Sequence, residues 1–160
     1  DPGSGCRPDG TCGGHFSDDP MKILLSALFI GAGLTGCAGN SIGYNEPLTD
    51  RYWRALEIDG LAVVVGSNRP EPHIVLTADR KTHGADGCNR FRGSYETASG
   101  LSFGRPASTL TACVPPVMVQ AENFMRVTQA TTDYRIQGKT LELLDSGGRV
   151  RMHLEATALR

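Results

Sequence analysis

Cysteine, histidine and arginine are the side chains with chemistry to offer in this chain. They are densest in the run Gly87-Cys88-Asn89-Arg90-Phe91-Arg92-Gly93-Ser94-Tyr95. A thiol beside an amide, with glycines nearby, invites two readings: an active-site turn, or one end of a cross-link. The next cysteine along the chain is Cys113. The two could form a disulfide, contribute to a metal site, or stand as free thiols in a core. No Cys-x-x-Cys spacing occurs, which argues against a redox-active pair. Gly87 and Gly93 point to tight backbone, since glycine tolerates positive φ. In an extended run Phe91, Gly93 and Tyr95 share one face, and Arg90, Arg92 and Ser94 share the other. The Arg90–Arg92–Ser94 face is the first candidate for a partner surface. Asn89 is read as structural, because an Asn at a strand end can bond local backbone or adopt the left-handed region.

Other familiar chemistries find little support. His73, His83 and His153 stand in no HExxH arrangement. His83 lies close in sequence to Asp86 and Cys88, a grouping worth inspection for a metal. Cys6, Cys12 and His15 also could be read as ligands, but their linker-like surroundings favour an upstream extension. Gly138-Lys139-Thr140 imitates the end of a phosphate loop, but Asp133 occupies the position where glycine should open it. No Gly-x-Ser-x-Gly elbow is present. No catalytic residue, metal or cofactor is therefore assigned, and the protein is expected to be non-enzymatic. The net charge is −1 and the arginines are scattered without a basic stripe, so nucleic acid is not an expected partner.

The five cysteines divide into Cys6 and Cys12, then Cys37, then Cys88 and Cys113. Residues 1–20 are linker-like and read as an upstream extension. Met21-Lys22 then opens a secretion signal over residues 21–36, with an apolar stretch too short to span a bilayer. It ends in Leu34-Thr35-Gly36-Cys37, which resembles the bacterial lipobox. That resemblance implies lipidation of Cys37 and a membrane-anchored mature chain. Ala38 stands where an Asp would imply retention at the inner membrane, so the expected place is the outer membrane, facing the periplasm. Residues 37–50 would be a lipidated, mobile tether. Export favours oxidation of Cys88 and Cys113 to a disulfide.

The elements that must position these residues follow from periodicity. Tyr52-Trp53-Arg54-Ala55-Leu56-Glu57-Ile58 alternates but slips phase near Ala55, as at a bulge. Asp59-Gly60 is a hairpin signal, and the apolar Leu61-Ala62-Val63-Val64-Val65 reads as the next strand. Residues 73–78 read as a strand, 79–82 as a turn, and 101–103 as a short strand after a turn at Ala98-Ser99-Gly100. Residues 104–112 look irregular. Val117, Ala121, Phe124, Met125 and Thr128 fall on one helical face, predicting a helix over 117–130. Pro116 suits its first turn, and Glu122 is placed early, where the helix dipole favours an anion. Three strands follow, Tyr134–Ile136, Thr140–Leu144 and Val150–Glu155, divided by hairpin turns at Gln137-Gly138-Lys139 and Asp145-Ser146-Gly147-Gly148. The fold expected over residues 51–160 is β-rich α+β. It is an antiparallel curved sheet or small barrel of about seven to eight strands, with one α-helix packed across it.

These residues collected resemble the META domain of the HslJ-like lipoproteins. The likeness rests on Trp53 and Leu56, the Gly87-Cys88-Asn89-Arg90-Phe91 run with Gly93 and Tyr95, and Leu101-Ser102-Phe103. It continues through Thr109 with Ala112-Cys113, Glu122 and Phe124, Tyr134-Arg135-Ile136, Gly138, Leu141, Leu143 and Asp145. Leu110-Thr111 departs from the family pattern, which often carries Met there. The resemblance implies an envelope domain linked to heat shock and antibiotic tolerance, without established catalytic residues. The partners expected are the membrane, through the lipid, and an envelope protein; the protein itself is expected to be a monomer. Two alternatives come from other classes. One is a disulfide-locked inhibitor of a lysozyme or protease, acting through the loop at residues 66–72. The other is a binder of small ligands or metal at a barrel mouth.

Overall fold

The computed structural model describes residues 43–158. The upstream extension, the signal segment and Cys37 lie outside the described residues. Ten strands and one helix are present among those described. They are β1 Tyr52–Ile58, β2 Leu61–Ala62, β3 His73–Leu76, β4 Lys81–Ala85, β5 Arg90–Glu96, β6 Ser102–Phe103, β7 Ala107–Ser108, α1 Pro115–Ala130, β8 Asp133–Gln137, β9 Thr140–Leu144 and β10 Val150–Thr157. The main ladder runs β6-β5-β4-β3-β1-β10-β9-β8, with β2 added to β1 and β7 to β5. The pairings are antiparallel. Of the two expected forms the curved sheet is the one observed, since the ladder does not close. Its two ends meet through one backbone bond, from the Leu101 N–H to the Thr132 carbonyl at 3.2 Å. Gly100 permits that approach, because a Cβ there would lie 2.2 Å from the Thr132 oxygen.

The core forms where inward residues of the sheet meet α1. Trp53, Ile74, Leu76, Leu141, Leu143, Met152 and Leu154 from the strands are buried with Leu101, Phe124 and Val127. The helix buries Val117, Ala121, Phe124, Val127 and Thr128, so the expected stripe holds with Val127 added and Met125 at its margin. Full burial of a side chain such as Phe124 is worth roughly 2–3 kcal/mol. Its ring meets Phe91 of β5 at 5.9 Å between centroids, tilted by 50°.

Several boundaries differ from expectation. The helix starts at Pro115, with proline in its first positions, and no acidic residue falls in its first turn. Glu122 sits a turn too late to meet the dipole, which fades beyond the first turn. β1 does carry its irregularity at the expected place: its register against β10 shifts between Ala55 and Glu57. Ala55 therefore points inward, Leu56 outward, and Ile58 inward again. Asp59 and Gly60 have φ of 50° and 78°, the left-handed pair of a two-residue hairpin turn. The following strand stops at Ala62, however, and Val64 and Val65 are exposed at 65% and 55%. Val64 has both backbone groups taken by the Gln120 side chain, at 2.7 and 2.9 Å. That side chain replaces the neighbouring strand that the apolar run would otherwise require.

Residues 79–82 are not simply a turn, since Lys81 begins β4. The short β7 lies within the stretch that reads as irregular. Packing also reaches back beyond Arg51 into the expected tether. The Glu46 N–H donates to the Gly138 carbonyl at 2.8 Å and the Asp50 N–H to the Leu76 carbonyl at 2.7 Å. The Trp53 indole N–H donates to the Leu48 carbonyl at 2.8 Å.

One charged network ties the hairpin turns to the helix. Asp59 accepts from Arg151 and from Arg126 of α1, each at 2.6 Å. Arg151 also reaches Asp145 at 3.1 Å, and Asp145 accepts from the Arg149 guanidinium at 2.8 and 3.0 Å. The Asp145 carboxylate further receives the backbone N–H groups of Gly147 and Arg149. Both carboxyls are held below their ordinary 3.8, Asp145 chiefly by its bonds to Arg149 and Asp59 chiefly by Arg151. A carboxyl lowered by folding stabilises the fold above its unfolded pKa. That contribution is lost as pH falls toward the folded pKa. Asp145→Asn is therefore expected to lower the melting temperature at pH 7. The gap from wild type should narrow below pH 3.8, and melting curves across an acid series test this.

Candidate functional site

The β4–β5 turn is built by Asp86. Its buried carboxylate accepts the N–H groups of Cys88 at 2.8 Å and Asn89 at 2.6 Å. The Asp86 N–H donates back to the Asn89 carbonyl at 3.0 Å. Gly87 completes the turn at φ 100°, a conformation that side chains disfavour. Asn89 then points its amide oxygen at the loop ahead of the helix. It accepts the Thr109 hydroxyl at 2.9 Å and the Thr111 N–H at 2.7 Å. The Thr109 hydroxyl in turn accepts the Arg90 N–H at 3.1 Å.

Cys88 and Cys113 form a disulfide with Cα atoms 6.0 Å apart. Cys88 packs with Val117 and Ala121 of α1 in a small cluster of its own. The Gly87-Cys88-Asn89 run is thus a staple holding residues 109–113 against the sheet and the helix start. The closed loop spans 25 residues, for which chain entropy gives about 3.5 kcal/mol. The double variant Cys88→Ala/Cys113→Ala is expected to lose about that much in urea unfolding, with wild type under reductant behaving alike.

His83, Asp86 and Cys88 do not converge. His83 is exposed on the outer sheet face, Asp86 is buried in its turn, and Cys88 is engaged with Cys113. His73 is stacked on Tyr52, with centroids 4.2 Å apart, and its Nδ1 lies 2.8 Å from the Glu71 carbonyl oxygen. Burial pushes its pKa down, and the nearby His83 and Arg90 add to that. Gly138-Lys139-Thr140 lies at the β8–β9 hairpin, with no helix following it. The loop at residues 66–72 is tied down at its far end, where the Ala55 N–H donates to the Pro72 carbonyl at 2.9 Å.

On β5 the expected alternation is present. Phe91 and Tyr95 are buried, while Arg90, Arg92 and Ser94 are exposed. The Tyr95 hydroxyl donates to the Thr77 carbonyl at 2.8 Å. Arg92 stands opposite His83 of β4 on one side and Ala107 of β7 on the other. Arg90 stands opposite Ala85, and its backbone bonds Thr109. Arg90, Phe91, Arg92, Ala107, Ser108 and Thr109 line an open groove of about 400 Å³.

Elsewhere on the sheet arginines meet carboxylates: Arg54 with Glu155, Arg135 with Glu142, Arg151 with Asp59 and Asp145. Among the described residues Arg90 and Arg92 have no such partner. Sequence reasoning placed both arginines correctly but missed Ser108 and Thr109, which reach the groove only through tertiary pairing. It also missed the Asp86 clamp, for which the Asp86-Gly87 dipeptide was the available signal.

The comparisons with known proteins agree with this architecture. No curated protein matches the chain. A protein from Burkholderia xenovorans solved by NMR is similar in fold, with a TM-score of 0.56 and 23% identity over 70% of this chain and 85% of the other. A second NMR structure gives a TM-score of 0.52 at 17% identity, covering 66% of this chain and 88% of its own. At such identities the likeness concerns the fold alone. The META domain model matches residues 46–158, from the backbone contacts ahead of β1 to the end of β10. By that match this chain belongs to the META domain family.

Proposed function

We propose that the chain is a non-enzymatic binding module of the cell envelope, acting under stress. It is lipidated at Cys37, held at the outer membrane and faces the periplasm. It engages an envelope partner through the Arg90–Arg92–Ser94 face. Family membership and the lipobox-like Leu34-Thr35-Gly36-Cys37 support the envelope setting. The observation that carries the binding surface is the pair of exposed arginines without carboxylate partners, on a strand backed by the Asn89 clamp and the disulfide. Rigid backing suits recognition, because little order is lost on binding.

A photo-crosslinking residue at Ser94 tests the surface. In cells it is expected to yield a discrete adduct that Arg90→Glu/Arg92→Glu removes. An adduct unaffected by that change would defeat the reading. Mass spectrometry of the membrane fraction should find Cys37 acylated, and an unmodified Cys37 there would defeat the anchoring.

A further inference from the structure

We infer that the groove between β5 and β7 is a binding site for a phosphate-type oxyanion, held by Arg90 and Arg92. This rests on the reading of that face as the binding surface and names the chemistry it selects. The two side chains leave the same face of one strand two residues apart, so their origins are about 7 Å from each other. Both are exposed, and the groove they border contains no carboxylate.

The surroundings add an imidazole and one more guanidinium. His83 sits opposite Arg92. The exposed Arg105 precedes Pro106, whose Cα lies 3.4 Å from where a Gly93 Cβ would be. Like charges this close repel one another, and Asp79, which lines the adjoining depression with Arg92 and His83, is paired with Lys81 at 3.0 Å. An external anion would relieve the repulsion.

The donor set narrows the class of anion. A single carboxylate satisfies one guanidinium fork, whereas a phosphate offers three terminal oxygens and more than one negative charge to two forks. The exposed Ser108 lies on the groove wall. Its hydroxyl makes only local bonds, to the Thr109 carbonyl at 3.1 Å and, longer, to the Arg90 carbonyl at 3.4 Å. Ser108 pairs with Phe91 across the ladder, so its side chain leaves on the face of Phe91, away from the arginines, and the anion would be held by the two guanidinium forks. The Thr109 hydroxyl is already committed to Asn89 and Arg90, and it fixes the wall in place. The groove is open, which suits a headgroup or a terminal phosphate better than an enclosed metabolite.

The test uses the full chain without lipid and two probes, inorganic pyrophosphate and phosphatidylglycerol vesicles, with phosphatidylcholine vesicles as control. Amide NMR shifts on adding pyrophosphate are expected at residues 90–92 and 107–109. Arg90→Gln/Arg92→Gln should weaken binding at least tenfold, and Arg92→Lys by less, since it keeps the charge and loses the fork. Arg135→Gln, in an ion pair on another strand, should leave binding unchanged. A pyrophosphate response without vesicle retention assigns the site to soluble phosphates, and retention on phosphatidylglycerol alone assigns it to a lipid headgroup; either supports the inference. Failure of both probes overturns it, as does equal binding by the double glutamine variant. If both probes fail while the Ser94 adduct still depends on the arginines, the phosphate chemistry is wrong and the partner surface stands. If phosphate binds and no adduct depends on the arginines, the phosphate site stands and the protein-partner surface falls.

Discussion

Trp53→Ala is expected to lower the unfolding free energy by about 3–5 kcal/mol, the range for removing a large buried aromatic. Trp53 is completely buried at the centre of the sheet, opposite Ile74 of β3 and Ala156 of β10. The loss has two parts. One is the cavity left among side chains that relax only partly. The other is the hydrogen bond from the indole N–H to the half-buried Leu48 carbonyl, worth about 0.5–1.5 kcal/mol net. Trp53→Phe keeps much of the apolar volume and loses the bond, so it should fall between alanine and wild type. Domains of this size are stable by about 5–15 kcal/mol, so the alanine variant stands near the edge of folding. Urea unfolding followed by far-UV circular dichroism measures this, since the chain's only tryptophan is the one replaced. A loss below about 1 kcal/mol, far under the range for such a residue, would show that β1 does not carry the core.

Gly84→Ala is expected to be comparably damaging for a different reason. Gly84 lies in β4, paired with Ile74 on one side and Phe91 on the other. A Cβ there would stand 2.1 Å from the His73 carbonyl oxygen and 2.9 Å from the Phe91 ring. The objection is space, since its φ is not in the left-handed region. One methyl group must push β3 away or displace the ring that packs on Phe124. Overpacking of this kind costs about 3 kcal/mol, and more where backbone must move. Gly138→Ala supplies the contrast: its Cβ meets nothing within 4 Å, but its φ is 59°. That substitution should cost only the left-handed penalty of about 1–2 kcal/mol. Equal melting temperatures for the two variants would contradict the close approach at Gly84.

Residues whose role is set by their own neighbours in sequence were legible. The helix stripe showed because a 3.6-residue period needs no knowledge of what covers it. The bulge near Ala55 showed as a break in alternation, and Asp59-Gly60 as a turn that wants two positive φ values. β4 did not show, because Lys81-Thr82-His83-Gly84-Ala85 has no apolar alternation. It is a strand because small residues fit a slot between β3 and β5. The opposite error came at Val64 and Val65, where β-branched side chains suggested a strand that Gln120 had in fact displaced. The site divides the same way. The outward arginines of β5 followed from a period of two, whereas the groove opposite Ser108 and the lack of a carboxylate partner are tertiary facts. Asn45 and Leu48 carry no periodic signal, and their attachment to the domain is made through polar bonds to residues outside their own stretch.

The pairing of β1 with β10 at the middle of the sheet has a consequence for the time order of folding. Among the described residues the first strand made and the last strand made are mutual neighbours, with Tyr52 and Thr157 bonded across 105 residues. A chain still emerging, or halted before Val150, holds Trp53 in a strand with one side unmet. The closing loop is long, and its entropy must be lost before the contacts repay it. Folding of this domain therefore waits for its final strand, and the chain remains pliable for as long as that strand is withheld.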